Sequence, residues 1–92
     1  MRAEVYSKDQ CPNCIEALAL LRSFNAQTKI YKVVEHVNTR DISIDYEQVT
    51  RDKLFTRIPT ARSVPQIFLN DEYIGGLREL KQKLAKDETC SC

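Results

Sequence analysis

Apolar positions along this 92-residue chain change their spacing several times, and each change marks an element. Ala3-Glu4-Val5-Tyr6 has the composition of a short strand. From Pro12 the period becomes helical: Cys14, Leu18, Leu21 and Phe24 share one face, with Glu16, Arg22 and Ser23 elsewhere. Asn25 to Thr28 interrupts that pattern, and the β-branched and aromatic run Lys29 to Val34 predicts a second strand. Asn38 to Ile44 is polar and reads as a loop. Asp45, followed three residues later by Gln48, resembles a capping pair and predicts a helix over Tyr46 to Phe55, with Tyr46, Val49 and Leu54 as its apolar stripe. Pro59 ends it. Gln66 to Leu69 and Glu72 to Ile74 flank Asn70-Asp71, a two-residue turn that predicts a hairpin. Gly75-Gly76 leads into a last helix with Leu77, Leu80 and Leu84 on one face. Lys81, Lys83 and Lys86 near its end suit the negative pole of the helix dipole.

The predicted order is β-α-β-α-β-β-α. Two strands joined by a helix run parallel, and the last two pair as an antiparallel hairpin. The expectation is an α/β fold: a four-stranded mixed sheet flanked by three helices. The length suits one domain, residues 1–87, with 88–92 as a flexible tail, since periodicity stops at Asp87.

Composition narrows the function. With 42% hydrophobic and 29% charged residues and a formal net charge of +1, the chain lacks the basic excess expected for nucleic-acid or membrane-surface binding. The N-terminal residues Met1 to Tyr6 contain no apolar h-region, and no apolar run approaches the roughly 20 residues that span a bilayer. A cytoplasmic location is expected. There, the four cysteines argue for redox or metal chemistry rather than a disulfide framework.

Cys11-Pro12-Asn13-Cys14 stands at the junction of the first strand and first helix. A cysteine at a helix start feels the partial positive charge of unpaired backbone N–H groups, which stabilises thiolate over thiol. Pro12 suits the first helical position because its missing donor has no partner to lose there. The second thiol, within one turn, can reach back to close a disulfide. Zinc sites use the same cysteine spacing, so this motif alone leaves both chemistries open.

Two further motifs follow: Ser63-Val64-Pro65-Gln66-Ile67-Phe68 entering the third predicted strand, and Tyr73-Ile74-Gly75-Gly76 leaving the fourth. In this order and at this length the chain closely resembles the dithiol glutaredoxins of the thioredoxin-fold superfamily, from Val5 to about Leu84. The resemblance implies a thioredoxin-like fold, no tightly bound cofactor, and glutathione as reducing co-substrate. It also implies that Val64-Pro65 is cis and lies against the Cys-x-x-Cys turn, offering the Val64 backbone to a bound peptide.

Within that frame Cys11 is the expected nucleophile. It is nearest the helix N-terminus and three residues from Lys8, and both favour the thiolate, which is also the better leaving group. Lys8 is equally readable as a solvated surface cation. Cys14 is the expected resolving thiol. The adjacent Gly75 and Gly76, the only glycines, allow close backbone approach and leave N–H donors for an anion. By resemblance this corner holds the γ-glutamyl carboxylate of glutathione. Arg62, just before Ser63-Val64-Pro65, is a candidate for the glycine carboxylate, and Arg57 a weaker one. Glutaredoxin potentials of about −200 to −230 mV lie above a cytosolic glutathione poise of about −220 mV or lower, so glutathione can drive the reduction.

Two positions depart from the family pattern. Asn13 replaces the usual Tyr and removes an aromatic wall. Arg78 and Glu79 replace the usual Ser or Thr followed by Asp; Glu79 is a candidate for the γ-glutamyl ammonium and Arg78 for its carboxylate. The expected partners are glutathione and disulfide-containing proteins, ribonucleotide reductase among them, with the enzyme a monomer. Two alternatives are a redoxin fed by thioredoxin reductase, a class that generally lacks the Gly-Gly corner, and an iron–sulfur or metal carrier, which Pro12 opposes. Cys90 and Cys92 are readable as a disulfide relay, a soft-metal ligand pair, a link between chains, or two adventitious thiols in a disordered end.

Overall fold

Strand β1 (Arg2–Ser7) lies at the centre of the sheet, and the chain winds outward from it on both sides. The computed structural model describes residues 1–40, 45–61 and 63–89. After β1 come α1 (Pro12–Ser23), β2 (Gln27–Val34), β3 (Glu47–Thr50), α2 (Arg51–Arg57), β4 (Gln66–Leu69), β5 (Glu72–Gly75) and α3 (Leu77–Thr89). The strands are ordered β3-β2-β1-β4-β5. β1 pairs parallel with β2, with Val5 opposite Ile30, and antiparallel with β4, with Val5 opposite Ile67.

The two-residue period of the strands sorts the core into two layers. Ala3, Val5, Ile67 and Leu69 pack with Ala17 and Leu21 of α1 and with Leu80 and Leu84 of α3. Tyr6 and Phe68 belong to the other layer, with Val49, Leu54 of α2 and Ile58. Fully burying an aliphatic side chain of this size contributes roughly 1.5–3 kcal/mol over leaving it exposed. The helical face of α1 contains Cys14, Ala17 and Leu21 as its buried residues, and Leu18 and Phe24 pack at its margin. The predicted break after Phe24 is a Schellman ending: Asn25 has φ 57, Ala26 N–H donates to Leu21 O at 3.1 Å, and Asn25 N–H to Arg22 O at 2.9 Å.

Residues Glu47 to Thr50 depart from the predicted helix. They form β3, parallel to β2 with Val49 opposite Val33, so the described sheet has five strands rather than four. Gln48 does not act in a cap. Its side chain accepts from Asn38 N–H at 2.8 Å and donates to Asn38 O at 3.0 Å, tying the loop to the new strand. The helix begins only at Arg51, after an extended Thr50. The hairpin is as expected, with Asn70 and Asp71 both at positive φ (50 and 70), as a two-residue type I′ turn requires. Helix α3 continues to Thr89, past Asp87 and into the stretch assigned to a tail, while Cys90 and Cys92 lie outside the described residues.

Candidate functional site

The dithiol sits where β1 hands the chain to α1. Cys11 is the N-cap, with extended backbone (φ −109, ψ 103), and Pro12 opens the helix. The Cys11 Sγ accepts from the Cys14 backbone N–H at 3.3 Å, so one of the unpaired donors of the helix start points at this sulfur. Both thiols are free. Both are buried, Cys11 6% exposed and Cys14 2%. Burial pushes the Cys14 thiol up to about 12, with the hydrogen-bonded Cys11 sulfur adding to the effect and Lys8 working against it. Cys14 therefore remains a thiol at neutral pH, available to attack only when a base or a transient opening deprotonates it.

The loop before β4 covers the dithiol from the other side. The Val64–Pro65 bond is cis, and the Cys11 Sγ lies 3.9 Å from the Val64 carbonyl oxygen, within reach of a weak S–H donation. Pro65 is buried and Val64 half-buried, so a strip of Val64 backbone borders the sulfur.

Beside it a groove of about 300 Å³ runs from the Cys-x-x-Cys turn, which reaches it through Asn13 rather than through either sulfur, to the start of α3. Asn13, Val64, Pro65, Gly75, Gly76, Arg78 and Glu79 all line it, so seven positions singled out from scattered parts of the chain meet in one place. Lys8 lies in a separate recess of about 270 Å³ that shares Ser63 and Val64 with this groove and also receives Arg51 and Phe55. Arg62 is outside the described residues. Arg57 is not at the groove. It donates to both carboxylate oxygens of Glu4 at 2.9 Å and to the Tyr6 hydroxyl at 3.2 Å, and its guanidinium lies 3.8 Å above the Phe68 ring. These bonds raise the Arg57 pKa and lower that of Glu4, and they hold the arginine as a structural clamp on the α2 side of the sheet.

The glycine corner is not open as expected. The Gly76 N–H donates to Glu79 Oε2 at 3.2 Å. Glu79 is the third residue of the helix that Gly76 caps, and its carboxylate reaches back as in a capping box. Gly76 is also close to the loop: a Cβ there would stand 3.3 Å from the Pro65 carbonyl oxygen.

Gln66 and Tyr73, which stand in the two motifs above without a site role of their own, also line the groove. The Tyr73 hydroxyl donates to Gln66 Oε1 at 2.6 Å, and Gln66 Nε2 donates to the Ser63 carbonyl at 2.7 Å. Burial, and then the negative charge of Glu79, raise the Tyr73 pKa. A signal was present: Gln66 is the polar member of an otherwise apolar strand, directly after Pro65, and a buried glutamine requires partners. Among the described residues no three potential metal ligands converge, and no helix is long and apolar enough to cross a membrane.

A dithiol at a helix start, a cis-proline loop against it and a paired glycine turn at the far end of one groove form the constellation of one family, and the comparisons agree. The Glutaredoxin family model matches residues 3–74. The chain belongs to the glutaredoxin family. It is 32% identical over 79 residues to a probable glutaredoxin of Synechocystis sp., covering 86% of this chain and 77% of that protein. It is 32% identical over 77 residues to glutaredoxin 3 of Escherichia coli, covering 84% and 78%. Among solved structures, glutaredoxin 1 from Francisella tularensis, complexed with cacodylate, matches with a TM-score of 0.60 at 23% identity over 96% of both chains. A buckwheat glutaredoxin–glutathione complex matches with a TM-score of 0.59 at 19% identity, covering 92% of this chain and 69% of that one. These neighbours bear out the thioredoxin-like fold, and the family makes the protein a thiol–disulfide oxidoreductase.

Proposed function

We propose that this glutaredoxin is a glutathione-dependent oxidoreductase that reduces protein disulfides and glutathione mixed disulfides. The observation that carries the reading is the single groove joining the Cys-x-x-Cys turn, the Val64–Pro65 loop and the Gly75–Gly76 corner. An extended tripeptide whose cysteine meets Cys11 is bordered by the Val64 backbone. One end of it reaches the corner with Arg78 and Glu79, and the other faces the recess with Lys8. The buckwheat neighbour solved with glutathione supports the same ligand class.

In the proposed cycle the Cys11 thiolate attacks a disulfide sulfur. The S–S bond breaks, the departing thiolate takes a proton, and a mixed disulfide remains on Cys11. For a protein disulfide, Cys14 gives up its proton and attacks Cys11, releasing the protein's second thiol and leaving a Cys11–Cys14 disulfide. Two glutathiones return both thiols to the reduced state and leave as glutathione disulfide. For a glutathione mixed disulfide, Cys11 alone suffices, because a second glutathione resolves the Cys11–glutathione bond. Disulfide-bearing proteins, ribonucleotide reductase among them, are the proposed physiological substrates of a cytoplasmic monomer.

The test is turnover of a small glutathione mixed disulfide, coupled through glutathione reductase and NADPH, in wild type, Cys11→Ser and Cys14→Ser. Loss with Cys11→Ser and retention with Cys14→Ser is the expected pattern. An inactive wild type with a reducible Cys11–Cys14 disulfide overturns glutathione dependence and points to thioredoxin reductase as electron source.

A further inference from the structure

The Gly75–Gly76 corner already holds a carboxylate, and it belongs to the chain. Glu79 Oε2 accepts from Gly76 N–H at 3.2 Å. The stem of Glu79 lies across Gly75, where a Cβ would stand 2.9 Å from Glu79 Cγ and 3.0 Å from its Cδ. The bare backbone of Gly75 thus makes room for Glu79. Beside it, Arg78 occupies the second position of α3, where a cation opposes the helix dipole. It lines the groove and makes none of the ion pairs found among the described residues. Its exposed guanidinium adds positive charge beside the corner.

We propose, resting on the glutathione reading, that Glu79 is an internal stand-in for the substrate's α-carboxylate and that binding at this corner is an exchange of carboxylates. In the free enzyme Glu79 closes the Gly76 donor. The γ-glutamyl end brings both a carboxylate and an ammonium. Its carboxylate takes the Gly76 N–H beside Arg78, and the released Glu79 carboxylate meets the ammonium. No covalent bond changes; the two partners trade places. Glu79 is thereby a specificity-determining residue. A ligand that offers a carboxylate without an ammonium must expel Glu79 and give it nothing in return, leaving two like charges at one corner. A zwitterionic amino-acid end satisfies every group. The corner therefore selects for the pair of charges, and Glu79 enforces that selection through competition as well as attraction.

Two unreactive probes separate these effects: S-methylglutathione, and its deaminated analogue S-methyl glutaryl-cysteinylglycine, which keeps both carboxylates and lacks the ammonium. Dissociation constants come from backbone amide NMR titrations, with the Gly76 resonance followed directly, for the reduced wild type, Glu79→Ala and Glu79→Gln. Wild type is expected to prefer S-methylglutathione by about tenfold. In Glu79→Ala the parent binds more weakly while the analogue binds about three- to tenfold more tightly, because the Gly76 donor is vacant. Glu79→Gln, whose side-chain carbonyl can still occupy that donor, weakens the parent with a smaller gain for the analogue.

An analogue bound equally by wild type and Glu79→Ala, with the parent weakened, overturns the exchange and leaves Glu79 a simple ammonium partner. An equal loss of both probes reduces Glu79 to a helix cap and also overturns it. If wild type shows no shift along the groove with S-methylglutathione, the glutathione reading fails and the exchange fails with it. Shifts that do not depend on residue 79 leave that reading intact and sink only the exchange.

Discussion

The Cys14 backbone N–H donates to the Cys11 Sγ at 3.3 Å, while the Cys14 side chain itself is buried. The second cysteine thus supports the first through its amide, a group that every substitution except proline retains. Its thiol serves a separate purpose. The two contributions of one residue are separable by mutation.

Cys14→Ser is therefore expected to keep removal of glutathione from a small mixed disulfide within about threefold of wild type and to abolish turnover of a protein disulfide. Cys11→Ser lowers both by more than about a thousandfold, as removal of a nucleophile does. Parallel coupled assays on the two substrate types check this. Equal losses of the two activities in Cys14→Ser contradict the separation.

The Cys14 thiol carries a pH signature in stability. Its folded value of about 12 exceeds the ordinary value of 9.0, so the folded state holds the proton more tightly than the unfolded chain. Stability from this group is fully present below about pH 9 and is lost as pH rises towards about 12. Urea unfolding of the reduced protein at pH 8 and pH 10 is expected to show a lower midpoint at the higher pH. Cys14→Ala, which has no thiol to titrate there, is expected to lose less over the same interval.

Gly75 is required by conformation and by space together. Its φ of 114 is strained for any side chain, and an added Cβ meets the Glu79 stem at 2.9 Å. Gly75→Ala is expected to cost about 1–3 kcal/mol in chemical denaturation. Adding Glu79→Ala removes the two nearest atoms, Cγ and Cδ, but leaves the Cβ of residue 79 at 3.2 Å and the backbone strain, so the double variant recovers only part of the loss.

Arg57 joins α2 to the central strand through its paired bonds to Glu4 and its stacking on Phe68. Arg57→Met keeps much of the apolar stem and is expected to cost about 1–2 kcal/mol in urea unfolding. Oxidoreductase turnover well below the melting temperature stays within about twofold, as expected for a substitution away from the groove. Because Arg57 lowers the Glu4 pKa, the pair stabilises the protein above the ordinary carboxylate range. That stability disappears as pH falls through the folded value of Glu4, so the gap between wild type and variant narrows in acid.

Most of the fold is legible where local and tertiary preferences agree. Gln66 to Leu69 pairs as predicted because an apolar run before an Asn-Asp turn has one good arrangement, a buried strand of a tight hairpin. The Pro12 helix starts where a proline at N1 and a capping side chain coincide. Glu47 to Thr50 misled because its spacing satisfies a helical cap and stripe, while its strand character lies in pairing with Tyr31 to Val34, far away in sequence. Edge pairing supplies hydrogen bonds that no local pattern announces.

The site divides along the same line. By themselves the residues determined its chemistry: two thiols a turn apart at a helix start, a proline-led strand and a paired glycine turn are reactive or conformationally special wherever the chain goes. Tertiary structure alone decided who meets whom. It set Arg57 over Phe68 instead of in the groove, brought Gln66 and Tyr73 to the groove wall, and closed the Gly76 donor with Glu79. The physical reason is that a charged or polar side chain takes its role from the partners within about 3 Å of it. Those partners are delivered by packing across the sheet, which the order of residues along one chain does not display.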